Sequence, residues 1–240
     1  MSLNHGARIV TDGLLFCIDA ANPKSNKTGS TINDLSGNGY DAATDNSSTL
    51  SYNSSTKAYE FSDDSYVTGT TVGYVQNFSA EMVLRVDSAT DTYNGFIGSR
   101  EYGYPDYDTG FNLDTSDTTQ SGSLTRINVE LSRSYSGYYE RDIFTGSIPF
   151  GDFFHMLLTV SADNNTVRLY INGEQDYEKT DYAGTQTSLD SIWLGSRHTS
   201  NSALSRGLEG QIALARIYTK ELTAEEVTQN YNAIRGRFGL

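Results

Sequence analysis

The chain has 240 residues, with 30 Asp and Glu against 17 Lys and Arg, for a formal charge of −13. That balance, with no Lys/Arg run, repels phosphate backbones and excludes general nucleic-acid binding. No stretch of about 18 apolar residues is present to insert into a membrane, and 1 Cys excludes an internal disulfide framework or a multi-thiolate metal site. Ser, Thr, Asn and Gly dominate the polar stretches, yet 17 Tyr and 10 Phe supply enough apolar surface for a folded acidic domain with a full core. The opening 13 residues lack an apolar core and a small-residue cleavage site, so synthesis in the cytoplasm without a signal peptide is expected.

In chain order, the first strand is expected over Gly13 to Asp19, followed by a turn at Ser36-Gly-Asn-Gly39. Residues 78–86 and 124–131 alternate apolar and polar side chains, as half-buried antiparallel strands do. Residues 153–160 are more continuously apolar and read as a central strand. A turn at Asp163-Asn-Asn165 leads to a strand over Thr166 to Ile171, and Asn172-Gly173 then gives the strongest hairpin signal, because both residues accept positive φ. Phe96-Ile-Gly-Ser-Arg100 and Trp193-Leu-Gly-Ser-Arg197 echo one another as two similar strand ends. One helix is signalled near the C-terminus: Thr223 and Glu226 form a capping box, Leu222 and Val227 staple across it, and Gly236 is expected at the C′ position. Val227, Tyr231 and Ile234 share the face that would dock. The fold class is therefore all-β, a two-sheet antiparallel jelly-roll sandwich with one C-terminal helix. Residues 1–12 read as an N-terminal arm, 13–235 as the domain and 236–240 as a tail.

Six segments carry a family resemblance: Asp34 to Asp41, Tyr59 to Val67, Phe78 to Leu84, Val167 to Gly173, Ile192 to Ser196 and Gly210 to Tyr218. In this order they resemble laminin-G-like jelly-roll domains of the concanavalin A-like lectin/glucanase fold. The opening Gly13 to Pro23 and the ending Leu222 to Leu240 are similar to versions of this domain in virion proteins of tailed bacteriophages. The resemblance implies a non-enzymatic, surface-exposed decoration or binding role on a capsid or tail, with host surface glycan as a candidate ligand and an oligomer on the virion left open. A stand-alone calcium-dependent carbohydrate-binding module is the alternative, and a glucanase the third reading.

Each reading has its candidate residues. Glu174, Asp176 and Glu178 have the E-x-D-x-E spacing of family-16-type glycoside hydrolases, and strand alternation would set all three carboxylates on one face. Gln175 departs from the apolar residue those enzymes usually hold there, and the same residues suit a solvent-facing hairpin strand, so no catalytic residue is assigned. Asp34, Asn38 and Asp41 in a Gly-rich loop, and Asp63 with Asp64 in a second turn, offer the oxygen ligands that Ca2+ needs, although Asp, Asn and Gly also serve any tight turn. Tyr102, Tyr104 and Tyr107, and a second cluster of Tyr135, Tyr138 and Tyr139, present amphipathic rings suited to a sugar or a protein partner. Arg8, Arg235 and Arg237 lie outside the core pattern and are candidates for docking on an acidic virion protein. His155, inside an apolar strand, reads as a packed, hydrogen-bonded residue, and Cys17 as a small buried hydrophobe.

Overall fold

The computed structural model describes residues 8–25, 31–44, 51–62, 67–68, 72–89, 94–100, 110–115, 122–124, 127–132, 139–143, 146–182, 186–196 and 207–240. Among these, two large sheets face each other. The first runs Glu174–Lys179, Thr166–Ile171, Phe153–Ser161, Asn77–Ser88, Glu209–Tyr218, Ala58–Phe61 and Ser51–Asn53, with Leu14–Asp19 pairing beside the C-terminal half of Glu209–Tyr218. The second runs Tyr139–Ile143, Ile127–Ser132, Gly110–Thr115, Gly95–Arg100, Trp193–Leu194, Val67–Thr68, Ala42–Thr44 and Thr31–Ile32. Neighbours pair antiparallel, as alternation with short turns requires. The two echoing segments lie side by side, with Trp193 opposite Gly98 and Leu194 opposite Ile97.

Period-two patterning decides which side chains enter the core. On the long Asn77–Ser88 strand, Phe78, Ala80, Met82, Leu84 and Val86 point inward and meet Phe111, Leu113 and Val129 from the opposing sheet in one cluster. The odd-numbered residues face away; the C-terminal helix Ala224–Phe238 covers Glu81 and Val83, while Arg85 and Asp87 lie beyond its end. Leu157, Tyr170, Tyr218, Leu222, Val227 and Val10 form one apolar patch beneath it, and Ala58, Val83, Ala213, Leu214 and Ile234 a second. Beneath the helix the first sheet is thus buried on both faces, which is why Phe153–Ser161 reads as continuously apolar.

The helix begins as its sequence dictates. Glu226 N donates to Thr223 Oγ1 at 3.3 Å, while Thr223 N donates to the Glu226 carboxylate at 3.0 Å, closing a reciprocal cap. Its end differs from the expectation at Gly236. The helix runs on to Phe238, whose ring packs 6.1 Å from that of Phe153, and the left-handed residue is Gly239, at φ 74°. The contact with Phe153 and the αL glycine beyond it outweigh the helix-weakening Gly236. A second correction concerns 124–131: Ser123–Leu124 belongs to a small separate ladder with Ile148–Pro149, and the long strand starts at Ile127.

The Asn172-Gly173 hairpin forms as read, with φ of 50° and 81°. Gly173 is required twice over, because a Cβ there would also lie 2.6 Å from the Tyr231 ring of the helix. Gly173→Ala should therefore cost about 1–2 kcal/mol, seen as a lower urea midpoint with an unchanged m-value; a wild-type midpoint would show that neither constraint acts.

Candidate functional site

Between the two apolar patches under the helix lies a set of buried polar groups that alternation places on the covered face of the first sheet. Glu81, fully buried, accepts from Arg216 Nη1 at 3.0 Å, from Asn230 Nδ2 at 3.0 Å and from His155 Nε2 at 3.1 Å. An ionised carboxylate only accepts, so the His155 proton sits on Nε2. Burial by itself raises the Glu81 carboxyl, but the Coulombic attraction of Arg216, with the hydrogen bond from His155, outweighs it and holds the group at about 2. Asn230 also accepts from Val10 N at 2.8 Å, and Tyr218 Oη donates to Val10 O at 3.3 Å, so the cluster fastens the segment ahead of the first strand. His155 is the packed residue expected, its ring 5.5 Å from that of Tyr231. Cys17 is buried, and burial pushes its thiol up to about 11. Every member faces protein, so this cluster serves the fold.

The surface beyond the C-terminal end of the helix is different. Register aligns Ser51, Glu60, Gln211, Arg85 and Phe153 in one row across five strands. Ser51, Glu60, Gln211 and Arg85 of this row line a groove of about 340 Å³ together with Asp87. Glu60 Oε1 accepts from Asn53 Nδ2 at 2.8 Å and from Gln211 Nε2 at 3.3 Å. Gln211 is 3% exposed, and its Oε1 has no hydrogen-bond partner. Arg85 pairs with Asp87, Nε to Oδ1 at 2.6 Å, and its guanidinium carbon lies 5.7 Å from the centroid of the Phe153 ring. No motif marks this row, because its members come from five separate strands; only strand pairing assembles it.

On the other side of Phe153 is a second groove of about 390 Å³, lined by Pro149, Asp152, Phe153, Asn172, Glu174 and Asp176 among others. It brings two of the three hydrolase-spaced carboxylates together with Asp152, which the spacing did not flag. The expectation that alternation sets all three on one face fails. Opposite Leu169 stands Tyr177 but opposite Tyr170 stands Gln175, so the strand bulges at Asp176. The extra residue shifts the alternation. Glu174 is opposite Ile171, which packs on the inter-sheet core, whereas Glu178 is opposite Arg168 on the outer side and pairs with it at 2.9 Å. Partial burial raises the Asp176 carboxyl.

The calcium candidates serve as loop braces. Asp34 Oδ1 accepts from Cys17 N and Ser36 N, both at 2.9 Å, and Oδ2 accepts from Ser36 Oγ at 2.6 Å and Tyr40 N at 3.1 Å. Asp41 Oδ1 accepts from Asp34 N, and Asn38 turns its amide nitrogen toward Leu14 O and Leu15 O. With four donors on it, the Asp34 carboxylate has its lone pairs engaged, and among the described residues no group of three or more His, Cys, Asp or Glu is placed to hold a metal. These residues do not fit a Ca2+ site as arranged. Asp63 and Asp64 lie outside the described residues, as do Tyr102, Tyr104, Tyr107, Tyr135 and Tyr138; of Tyr139 only the backbone, in Tyr139–Ile143, is described.

Of the docking arginines, Arg237 is engaged internally, donating to both oxygens of Asp19 at 2.9 and 2.5 Å. Any role on a partner has to compete with that bidentate pair. Arg235 lies 5.9 Å from the Tyr231 ring, and the Arg8 carbonyl accepts from Gln229 Nε2 at 2.7 Å.

Two facing antiparallel sheets with one covering helix define a jelly-roll sandwich. Residues 53–228 match the Laminin_G_3 family model, described as Concanavalin A-like lectin/glucanases superfamily, and the chain belongs to this family. Comparison with curated proteins gave no match. Among solved structures it is similar to domain 4 of AbnA, an extracellular arabinanase from Geobacillus stearothermophilus, in complex with arabinotriose. That likeness has 20% identity and a TM-score of 0.66, over 91% of this chain and 98% of that one. It is also similar to a botulinum neurotoxin type C structure described with two ganglioside molecules, at 13% identity and TM-score 0.68, over 94% of this chain and 52% of that one. The botulinum neurotoxin DC binding domain in complex with SialylT is alike at 13% identity and TM-score 0.67. The chain spans about half the length of these neurotoxin domains. At these identities the likeness is one of fold.

Removing the Glu81 charge should expose how much the fold depends on it. Glu81→Gln leaves Arg216 buried and unpaired and should cost about 3–5 kcal/mol. The folded pKa lies below the ordinary value of 4.5, so the stabilisation is present above that value and is lost as pH falls toward about 2. Urea midpoints between pH 6 and pH 2 should show this acid slope in the wild type and a flatter one in Glu81→Gln; parallel profiles would rule out Glu81 as its source.

Proposed function

We propose that this protein is a non-catalytic carbohydrate-recognition domain, displayed on the virion surface of a tailed phage as a capsid decoration or accessory tail protein. The observation that carries the carbohydrate reading is the groove lined by Ser51, Glu60, Arg85, Asp87 and Gln211. Carboxylates and a guanidinium, with the unpartnered amide oxygen of Gln211, are the donors and acceptors that sugar hydroxyls require. The known relatives in complex with arabinotriose and sialylated ligands support the class of ligand. The virion setting is supported by the resemblance of Gly13 to Pro23 and Leu222 to Leu240 to phage virion domains, and host surface glycan is the ligand that setting supplies.

The non-catalytic reading is supported by the bulge at Asp176, which separates Glu174 from Glu178 across the strand, and by the Glu178 pair with Arg168. Retaining hydrolysis needs its two carboxyl groups about 5–5.5 Å apart across one bond. A Ca2+-dependent module is the second class of reading; the engaged lone pairs of Asp34 weigh against that loop as its cation site.

A glycan array followed by calorimetry tests the binding. The wild type should bind at least one glycan class, and Arg85→Ala should lower that affinity by about tenfold with its thermal midpoint within a few degrees of wild type. Unchanged affinity in Arg85→Ala would place the site elsewhere, and reducing-sugar release from any β-glucan, abolished by Glu174→Gln, would overturn the non-catalytic reading. Cryo-electron microscopy of particles carrying the protein should show it on the capsid or tail, and a chain that never associates with particles would remove the virion setting.

A further inference from the structure

Gln211 lines the groove between Glu60 and Arg85 and is 3% exposed, yet its amide oxygen has no hydrogen-bond partner among the described residues. An amide can present either its oxygen or its nitrogen to a groove. Here the neighbouring strand decides which. Glu60 stands directly opposite Gln211, and its Oε1 accepts from Asn53 Nδ2 at 2.8 Å and from Gln211 Nε2 at 3.3 Å. A carboxylate only accepts, so the Gln211 nitrogen has to face it and the oxygen has to face away. Turning the amide over would set oxygen against oxygen.

The strand on the other side leaves that oxygen unanswered. Arg85 is the register partner of Gln211 there, but its Nη2 donates to Asp87 Oδ2 at 2.9 Å and its Nε lies 2.6 Å from Oδ1. Its guanidinium carbon lies 5.7 Å from the ring centroid of Phe153, on the strand away from Gln211. The groove therefore holds a fixed acceptor, and a ligand atom that meets it has to carry a hydrogen. A sugar hydroxyl does. An ether or carboxylate oxygen does not, and would leave the acceptor desolvated and unsatisfied. A site built to hydrogen-bond one ligand group rejects the analogue lacking it far more strongly than an apolar pocket rejects a missing methylene.

Resting on the carbohydrate reading above, we infer that Gln211 is the specificity-determining residue of this groove, accepting from one hydroxyl of the sugar, and that Glu60 is the positioning residue that keeps its oxygen presented. Asn53 stands behind Glu60, since its amide holds the same carboxylate oxygen.

Calorimetry with arabinotriose, cellotriose, chitotriose and sialyllactose tests this, followed by monodeoxy and monofluoro analogues of the tightest binder. At one ring position both analogues should bind the wild type about tenfold or more weakly than the parent sugar, because neither carries the hydrogen. Gln211→Leu should bind parent and analogues alike, within about twofold, since the acceptor is gone. Glu60→Leu should lose the discrimination by freeing the amide to turn over, and Glu60→Gln, which keeps an acceptor oxygen, should restore it. These two variants carry the test even if Gln211→Leu does not fold. A penalty that persists in Gln211→Leu, or no ring position that costs tenfold, overturns the inference and leaves a sugar-binding domain. Full discrimination in Glu60→Leu overturns the positioning role. No binding to any of the four probes overturns both this inference and the carbohydrate reading.

Discussion

A carboxylate with no contact with water sits at the middle of the first sheet, and the layer order of the molecule depends on its being answered. Glu81 would be prohibitively expensive on a bare strand pointing into a protein layer. Arg216 from the neighbouring strand, His155 from the strand on the other side and Asn230 from the helix answer it together. Apolar patches on either side of the cluster hold the helix down, but they are non-directional. The hydrogen bonds to Glu81 fix where along the sheet the helix lies, since sliding it would leave a buried ion unsatisfied.

That fixed position decides what the rest of the outer face can do. The helix covers the sheet as far as Phe238, and there the cover stops. The row from Ser51 to Arg85 continues on the same face of the same strands and lines an open groove. One sheet surface is therefore divided into a sealed part, where polar residues are internally paired, and an open part, where Gln211 keeps an unused acceptor. Solved structures described with arabinotriose or ganglioside are alike in fold, but at 13–20% identity nothing about their sites transfers residue by residue.

The fold was largely legible in the sequence because its determinants are local or periodic. Asn172-Gly173 specifies its turn by φ alone, Thr223 and Glu226 specify a helix start within four residues, and alternation along residues 78–86 names the core face. Errors arose where a long-range contact overrode a local preference. Gly236 lost to Gly239 because Phe238 finds Phe153, more than eighty residues earlier in the chain. The bulge at Asp176 is invisible to a strict period of two, so Glu174 and Glu178 were expected to share a face. The groove row was not legible at all: Glu60, Arg85 and Gln211 are unremarkable alternating polar residues until strand pairing sets them side by side. Glu81 was overlooked for a related reason, since a single acid in an alternating strand looks solvent-facing unless the helix that covers it is known.

The seam between the first strand and the last has a mechanical meaning. Leu14–Asp19 lies antiparallel beside the final strand, Glu209–Tyr218, and Val10 is held to Asn230 and Tyr218 just outside it. The start of the first strand and the end of the last thus lie at the same end of the sheet, joined by a short ladder, and the chain passes from there into the helix. Tension applied between the first strand and the last would load those bonds one after another, as a zipper does, before it reached the strands on the far side of Glu209–Tyr218. Such a seam would yield before the pairing of the strands beyond it.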